Sequence, residues 1–155
     1  MLFRTHFVFA VLLSLFFVKY LELSFIGKII FVIFFFFATV FVDIDSTKSK
    51  IGNFWFLRPF QWFISHRGMI HSLMFGVILS FIFFLIYPAA GIGFFLGYLL
   101  HLILDMFTRE GICLFWPLWN KKISLFPIKA GSLVEEIIFV LVLLFDFYLV
   151  WMLFF

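Results

Sequence analysis

The run FIGKIIFVIFFFFATVFV, Phe25 to Val42, carries one charge, Lys28, and ends at Asp43-Ile44-Asp45. A helix needs about 17 to 25 mainly apolar residues to cross a hydrocarbon core, and this run is long enough. Met69 to Tyr87, Gly91 to Phe107 and Leu133 to Phe155 meet or approach the same standard. A fifth run, about His6 to Leu21, is shorter, but Lys19 at its far end can snorkel and extend it. Arg4 followed by Phe7 to Val18 imitates a signal peptide, yet Lys19-Tyr20-Leu21-Glu22-Leu23 offers no small-residue cleavage site, so the segment reads as a retained helix. The expectation is an all-α, integral membrane helical bundle. It forms a single domain over 1–155 with about five transmembrane helices, near 6–21, 25–42, 69–87, 91–107 and 133–155.

Composition agrees. The chain is 66% apolar and 12% charged, against about 25% charged in an average soluble domain, and its mean hydropathy is +1.27. A soluble fold of 155 residues could not hide that much apolar surface. The 30 phenylalanines replace leucine within the apolar runs and read as lipid-facing bulk rather than a recognition motif. Cys113 is the only cysteine, which excludes an internal disulfide and any CxxC site. No internal repeat is visible.

Charge sets an expected orientation. Threading five spans from the N-terminus puts Arg4, Lys48, Lys50, Arg58, Arg67, Arg109, Lys121, Lys122 and Lys129 on one side, with only Lys19 and Lys28 on the other. The basic side is expected to be cytoplasmic. It holds the N-terminus and both long loops, 46–68 and 108–132, and leaves the C-terminus across the membrane. This topology accounts for the net charge of +3, no nucleic-acid motif accompanies it, and no nucleic-acid partner is expected. Trp55, Trp62, Trp116 and Trp119 lie in the same loops beside Arg58, Pro59 and Pro117, as suits segments anchored in the headgroup layer.

The remaining polar residues share that side. His6 opens the first helix, Asp43 and Asp45 close the second, His66 and His71 bracket the start of the third, and His101 and Asp105 occupy the last turns of the fourth. All four histidines and three aspartates, from helices remote in sequence, thus fall in one layer. His101 and Asp105 are four apart and project from one helix face with Tyr98, able to grip one ion or bond each other. Asp43 and Asp45 can both turn inward only if the backbone leaves α-helical geometry there. Ionisable groups in a span cost at least ~2.5 kcal/mol each on insertion scales, so they are normally paired, hydrated or coordinated. Imidazoles mixed with carboxylates and lacking thiols favour zinc, manganese or iron, as one or two ions. The candidate ligands are His6, Asp43, Asp45, His66, His71, His101 and Asp105. Glu135 and Glu136 open the last helix, where they complement the helix dipole, with a ligand or base role for one of them as the alternative. Asp146 lies on nearly the same face, roughly 16 Å deeper, and is expected to bond another helix.

Thr5-His6, Asp43-Ile44-Asp45, His66-Arg67-Gly68-Met69-Ile70-His71-Ser72 and Gly97-Tyr98-Leu99-Leu100-His101-Leu102-Ile103-Leu104-Asp105 together resemble the YdjM-like inner-membrane proteins, a family labelled as metal-dependent hydrolases. The resemblance runs from residue 5 to about 118 and includes Gly111 and Trp116-Pro117. It implies an inner-membrane, multi-pass protein. That family in turn looks distantly similar to the zinc-dependent phospholipase C and P1 nuclease group, which cleaves phosphodiesters and uses an HxxxD pair among its zinc ligands. By that likeness His101 and Asp105 would be ligands, Asp45 a ligand or general base, and Arg67 a phosphate-holding catalytic residue. A second HxxxE pair found in that group is absent here.

The expected function is therefore a membrane-bound metal-dependent hydrolase acting on a phosphodiester or related ester, with a lipid substrate reached from the cytoplasmic leaflet. Two alternatives stand beside it. One is a proton- or ion-coupled transporter using the Asp/His cluster as a relay; the other is a non-catalytic scaffold with a structural metal. Transport sites tend toward the midplane, whereas these residues crowd one surface. The HExxH of intramembrane zinc proteases and the PSGH of PAP2-type lipid phosphatases are both absent.

Overall fold

A computed structural model describes residues 1–45, 55, 58 and 68–154. Within them the chain is all helical: α1 (Phe3–Tyr20), α2 (Phe25–Phe41), α3 (Leu73–Ile86), α4 (Pro88–Met106) and α5 (Leu133–Phe154). Short 3-10 turns, Val42–Asp45 and Met69–His71, follow α2 and precede α3. Three segments, Phe3–Tyr20, Phe25–Asp45 and Pro88–Met106, are long and apolar enough to span a membrane. At 14 residues α3 is shorter, because the chain does not enter α-helix until Leu73. Ser72 caps that helix by accepting from the Phe75 N–H at 3.2 Å, as Ser24 caps α2 by accepting from Gly27 at 3.1 Å.

α4 is the central helix. It packs on α2 and α3 and carries residues of both buried apolar clusters: Phe94, Tyr98 and Leu102 in one, Ala89, Leu100 and Leu104 in the other. Gly93 and Gly97 set its approach to α2. A Cβ at either would strike the backbone carbonyl of Phe31 or Phe35, so the two helices meet backbone to backbone, as small residues spaced by four allow in a membrane. Thr39 adds a polar stitch, its hydroxyl lying 2.9 Å from the Phe35 carbonyl and 3.3 Å from that of Gly97.

The second long loop folds back over the polar end. Leu73 N–H donates to Leu114 O at 2.8 Å and Leu125 N–H to Met106 O at 2.8 Å, while single bridges pair Thr108 with Ile128 and Ile112 with Ile123. Ile112 is fully buried against the α2/α4 cluster. Gly111 makes the turn possible: its φ is +60° and a Cβ there would press on the Ile123 carbonyl. α5 docks on α1 and presents most of its apolar side chains outward, among them Leu141, Leu144, Phe147 and Trp151.

Candidate metal centre

The Asp43-Ile44-Asp45 segment does leave α-geometry, in the 3-10 turn that ends α2. Asp45 is buried and Asp43 partly so. The turn Met69–His71 brings His71 up to them, and Tyr98 holds that turn in place by donating its hydroxyl hydrogen to Ile70 O, with Ser72 O 3.2 Å away. His101 and Asp105 enter from α4, and His6 from the first turn of α1. Four elements thus meet at one end of the bundle.

The distances are short. His71 Nδ1 lies 3.1 Å from Asp45 Oδ2 and His71 Nε2 3.5 Å from Asp105 Oδ2. His6 Nε2 lies 3.4 Å from Asp105 Oδ1. His101 Nε2 lies 3.7 Å from Asp105 Oδ2 and 3.8 Å from Asp43 Oδ1. The His6 and His101 rings stack with centroids 4.3 Å apart. The amine nitrogen of Met1 is also here, 2.9 Å from Asp105 Oδ1. Apart from Asp43 these side chains are almost completely buried.

What the cluster can do follows from which nitrogen carries the proton. His101 Nδ1 sits 2.7 Å from Thr39 O and His6 Nδ1 3.2 Å from Leu2 O. A carbonyl can only accept, so each Nδ1 is the protonated, donating nitrogen, and in the neutral ring Nε2 keeps its lone pair. Neither Nε2 has a hydrogen-bond partner among the described residues. Two lone pairs therefore face carboxylate oxygens in a dry site, an arrangement that needs a cation or a proton between them. Among the described residues, two triads have ligand atoms within 4.8 Å of one another: His6, His101 and Asp105; and Asp43, His71 and His101. His101 belongs to both, and histidine nitrogen with carboxylate oxygen is a donor set suited to zinc and similar divalent ions.

His66 and Arg67, expected beside His71, lie outside the described residues, as do Trp62, Lys48 and Lys50. The glutamates differ from each other. Glu136 is half-exposed and pairs with Arg4. Glu135 is buried, and its Oε1 accepts from Leu2 N–H at 2.6 Å and Thr5 Oγ1 at 2.8 Å, while Oε2 accepts from Gly131 N–H at 2.7 Å. Glu135 thus clamps α5 to the turn of α1 that carries His6, a role that complementing the helix dipole does not predict. Asp146 is buried too, but its Oδ1 has no hydrogen-bond partner among the described residues, in place of the expected bond to another helix.

A model of the YdjM inner membrane protein family matches residues 1–154. The chain belongs to that family. Inner membrane protein YdjM of Escherichia coli (strain K12) is 33% identical over 106 residues, covering 62% of this chain and 54% of that protein. The YdjM of Shigella flexneri matches to the same extent, so the chain spans about half the length of these two relatives. YvsG of Bacillus subtilis (strain 168) is 34% identical over 116 residues, 72% of either chain. No solved structure matches. Membership, with the apolar helices, makes this a membrane protein in a lipid bilayer.

Proposed function

We propose that this YdjM-family protein is a divalent-metal-dependent hydrolase that cleaves a phosphodiester or related ester at the cytoplasmic face of the membrane. In this reading the chain crosses the membrane five times, with its N-terminus and both long loops cytoplasmic and its C-terminus across. The observation that carries the proposal is the pair of oriented imidazoles: His6 and His101 each give Nδ1–H to a backbone carbonyl and turn Nε2 toward Asp105. Such fixing of the far ring nitrogen is what holds a histidine ligand in the right tautomer.

His6, His101 and Asp105 would hold one ion, and Asp43 and His71 would contribute to a second, with the Asp105 carboxylate rather than His101 as the shared ligand, because His101 has only its Nε2 lone pair to give. Zinc suits the donors best, with manganese or iron as substitutes. When bound, the ion supplies activated water near neutral pH and polarises the phosphoryl oxygen. The chain's own groups do the rest. Asp45, 3.1 Å from His71 Nδ1, would accept the Nδ1–H of that ring and so turn its Nε2 toward the ion, and as a carboxylate it is also the candidate general base. Buried apolar neighbours such as Ile70 and Ile112 keep bulk water out and strengthen each charge interaction. Arg67, close in sequence to His71, is assigned to the developing negative charge on phosphate.

The reading is tested with detergent-purified protein and a panel of phospholipids and phosphodiesters, in Zn²⁺ or Mn²⁺ and after chelation. Metal-dependent turnover that disappears in Asp45→Asn and His101→Ala, with a smaller loss in Arg67→Ala, is expected. Proton or ion flux into proteoliposomes that is lost in the same variants, with no turnover of any substrate, would replace hydrolysis by a relay.

A further inference from the structure

A cavity of about 540 Å³ runs along α1 and α4, walled by Leu13 and Phe17 on one helix and Leu96 and Leu100 on the other. Leu96 to Leu104 is about 12 Å of helix, the scale of a length of extended hydrocarbon. Both helices are long and apolar enough to span the membrane, so the groove lies among lipid tails. Two observations distinguish it from an ordinary greasy surface. Its near end reaches the candidate site, since Met1 and Leu104 line it while the Met1 nitrogen touches Asp105. That end also adjoins a second, smaller cavity of about 190 Å³ whose wall includes Arg109, Lys129 and Glu110, with Ile128 common to both.

The backbone explains why two cations from distant parts of the loop meet there. Thr108 bridges Ile128 in parallel, and Arg109 N–H donates to Ile128 O at 3.0 Å, so Arg109 and Lys129 follow paired residues. They stand just beyond the end of α4 at Met106, which is headgroup level for a helix that spans the hydrocarbon. An apolar groove leading from hydrocarbon to a cationic cavity has the charge and polarity sequence of a phospholipid.

We propose that this pair of cavities seats one membrane phospholipid, an acyl chain along the α1/α4 groove and its phosphate between Arg109 and Lys129. As a binding site the seat stands on the geometry above. As the place where substrate waits beside Asp105 it rests on the hydrolase reading, and it names an acyl-bearing phospholipid as the substrate class.

The test uses the full chain in phosphatidylcholine nanodiscs doped with a phosphatidylglycerol that bears a diazirine on one acyl chain, with adducts mapped by peptide mass spectrometry. Zinc content is measured on the same samples. Adducts are expected to concentrate on the groove walls of α1 and α4. Ile103→Trp or Leu12→Trp, which fill the groove from opposite walls, should suppress them, and Arg109→Ala or Lys129→Ala should lower them about fivefold per cation removed. Zinc content should not change in any of these variants. Labelling spread equally over Phe81 and Leu85 of α3, or untouched by the tryptophans, overturns the seat. Labelling that falls with the tryptophans but ignores the alanines overturns the phosphate position. A wild type that labels as expected but binds no zinc keeps the seat and removes the hydrolase reading.

Discussion

The α2/α4 contact and the α1/α5 contact hold the same polar site by opposite means. Between α2 and α4 the glycines at 93 and 97 let backbone meet backbone, so the His101–Thr39 bond rests on packing that any added methyl group would disturb. Between α1 and α5 the joint has polar clamps: Glu135 takes donors from Leu2 and Thr5 while Gly131 N–H steadies its other oxygen, and Glu136 pairs with Arg4. Lipid tails are as apolar as the helices, so burial alone does not drive helices together in a bilayer. Close packing and hydrogen bonds must do it, and this chain uses one for each side of its site.

The comparison breaks most visibly at Gly97. Gly97→Leu forces a side chain into the Phe35 carbonyl, and overpacking of this kind costs about 1–3 kcal/mol, often more against backbone. Folded, monodisperse protein should fall sharply in detergent size-exclusion profiles, whereas Leu141→Ala on the exposed side of α5 should leave the profile as it is. A comparable loss from both would mean that the packing of α2 on α4 is not special.

Glu135→Ala comes next. It leaves the buried Thr5 hydroxyl and the part-buried N–H groups of Leu2 and Gly131 without their acceptor, a loss of about 1–3 kcal/mol. The expected signature is a lowered unfolding midpoint together with weakened metal binding, because the α1 turn that carries His6 loosens. Glu136→Ala removes only a half-exposed ion pair and should move the midpoint by at most ~1 kcal/mol. Equal effects from the two would dissolve the distinction between clamp and surface pair.

The smallest expected effect is at Thr39→Val, which keeps the shape and loses the hydroxyl link to Gly97 O. Side-chain hydrogen bonds between membrane helices average about 0.6 kcal/mol, so stability should barely change. Metal binding should be unaffected as well, because His101 bonds the Thr39 backbone carbonyl, which the substitution retains.

The helices were legible because their signal is composition and length, which Phe25 to Val42 displays without help from tertiary structure. The layer of histidines and aspartates was legible for a related reason: antiparallel spans carry every second helix end to the same side, so counting helices is enough to bring His6, Asp45, His71 and His101 together. Hydrogen-bond partners were not legible. Nothing in the sequence says that His101 finds the Thr39 carbonyl or that Glu135 closes on Leu2, since both depend on helix rotation and on backbone atoms, which every residue shares. The late start of α3 was likewise hidden, because Met69 and Ile70 are as apolar as the helix they precede and only Ser72 marks the true cap.

The central claim is that the oriented imidazoles and Asp105 hold a divalent ion. Zinc bound to detergent-purified wild type, measured after loading and exhaustive exchange beside His101→Ala and Leu141→Ala, tests it directly. Roughly one or two tightly held equivalents are predicted for wild type and for Leu141→Ala, with none retained by a folded His101→Ala. Wild type at buffer background, or His101→Ala holding as much zinc as wild type, would contradict it.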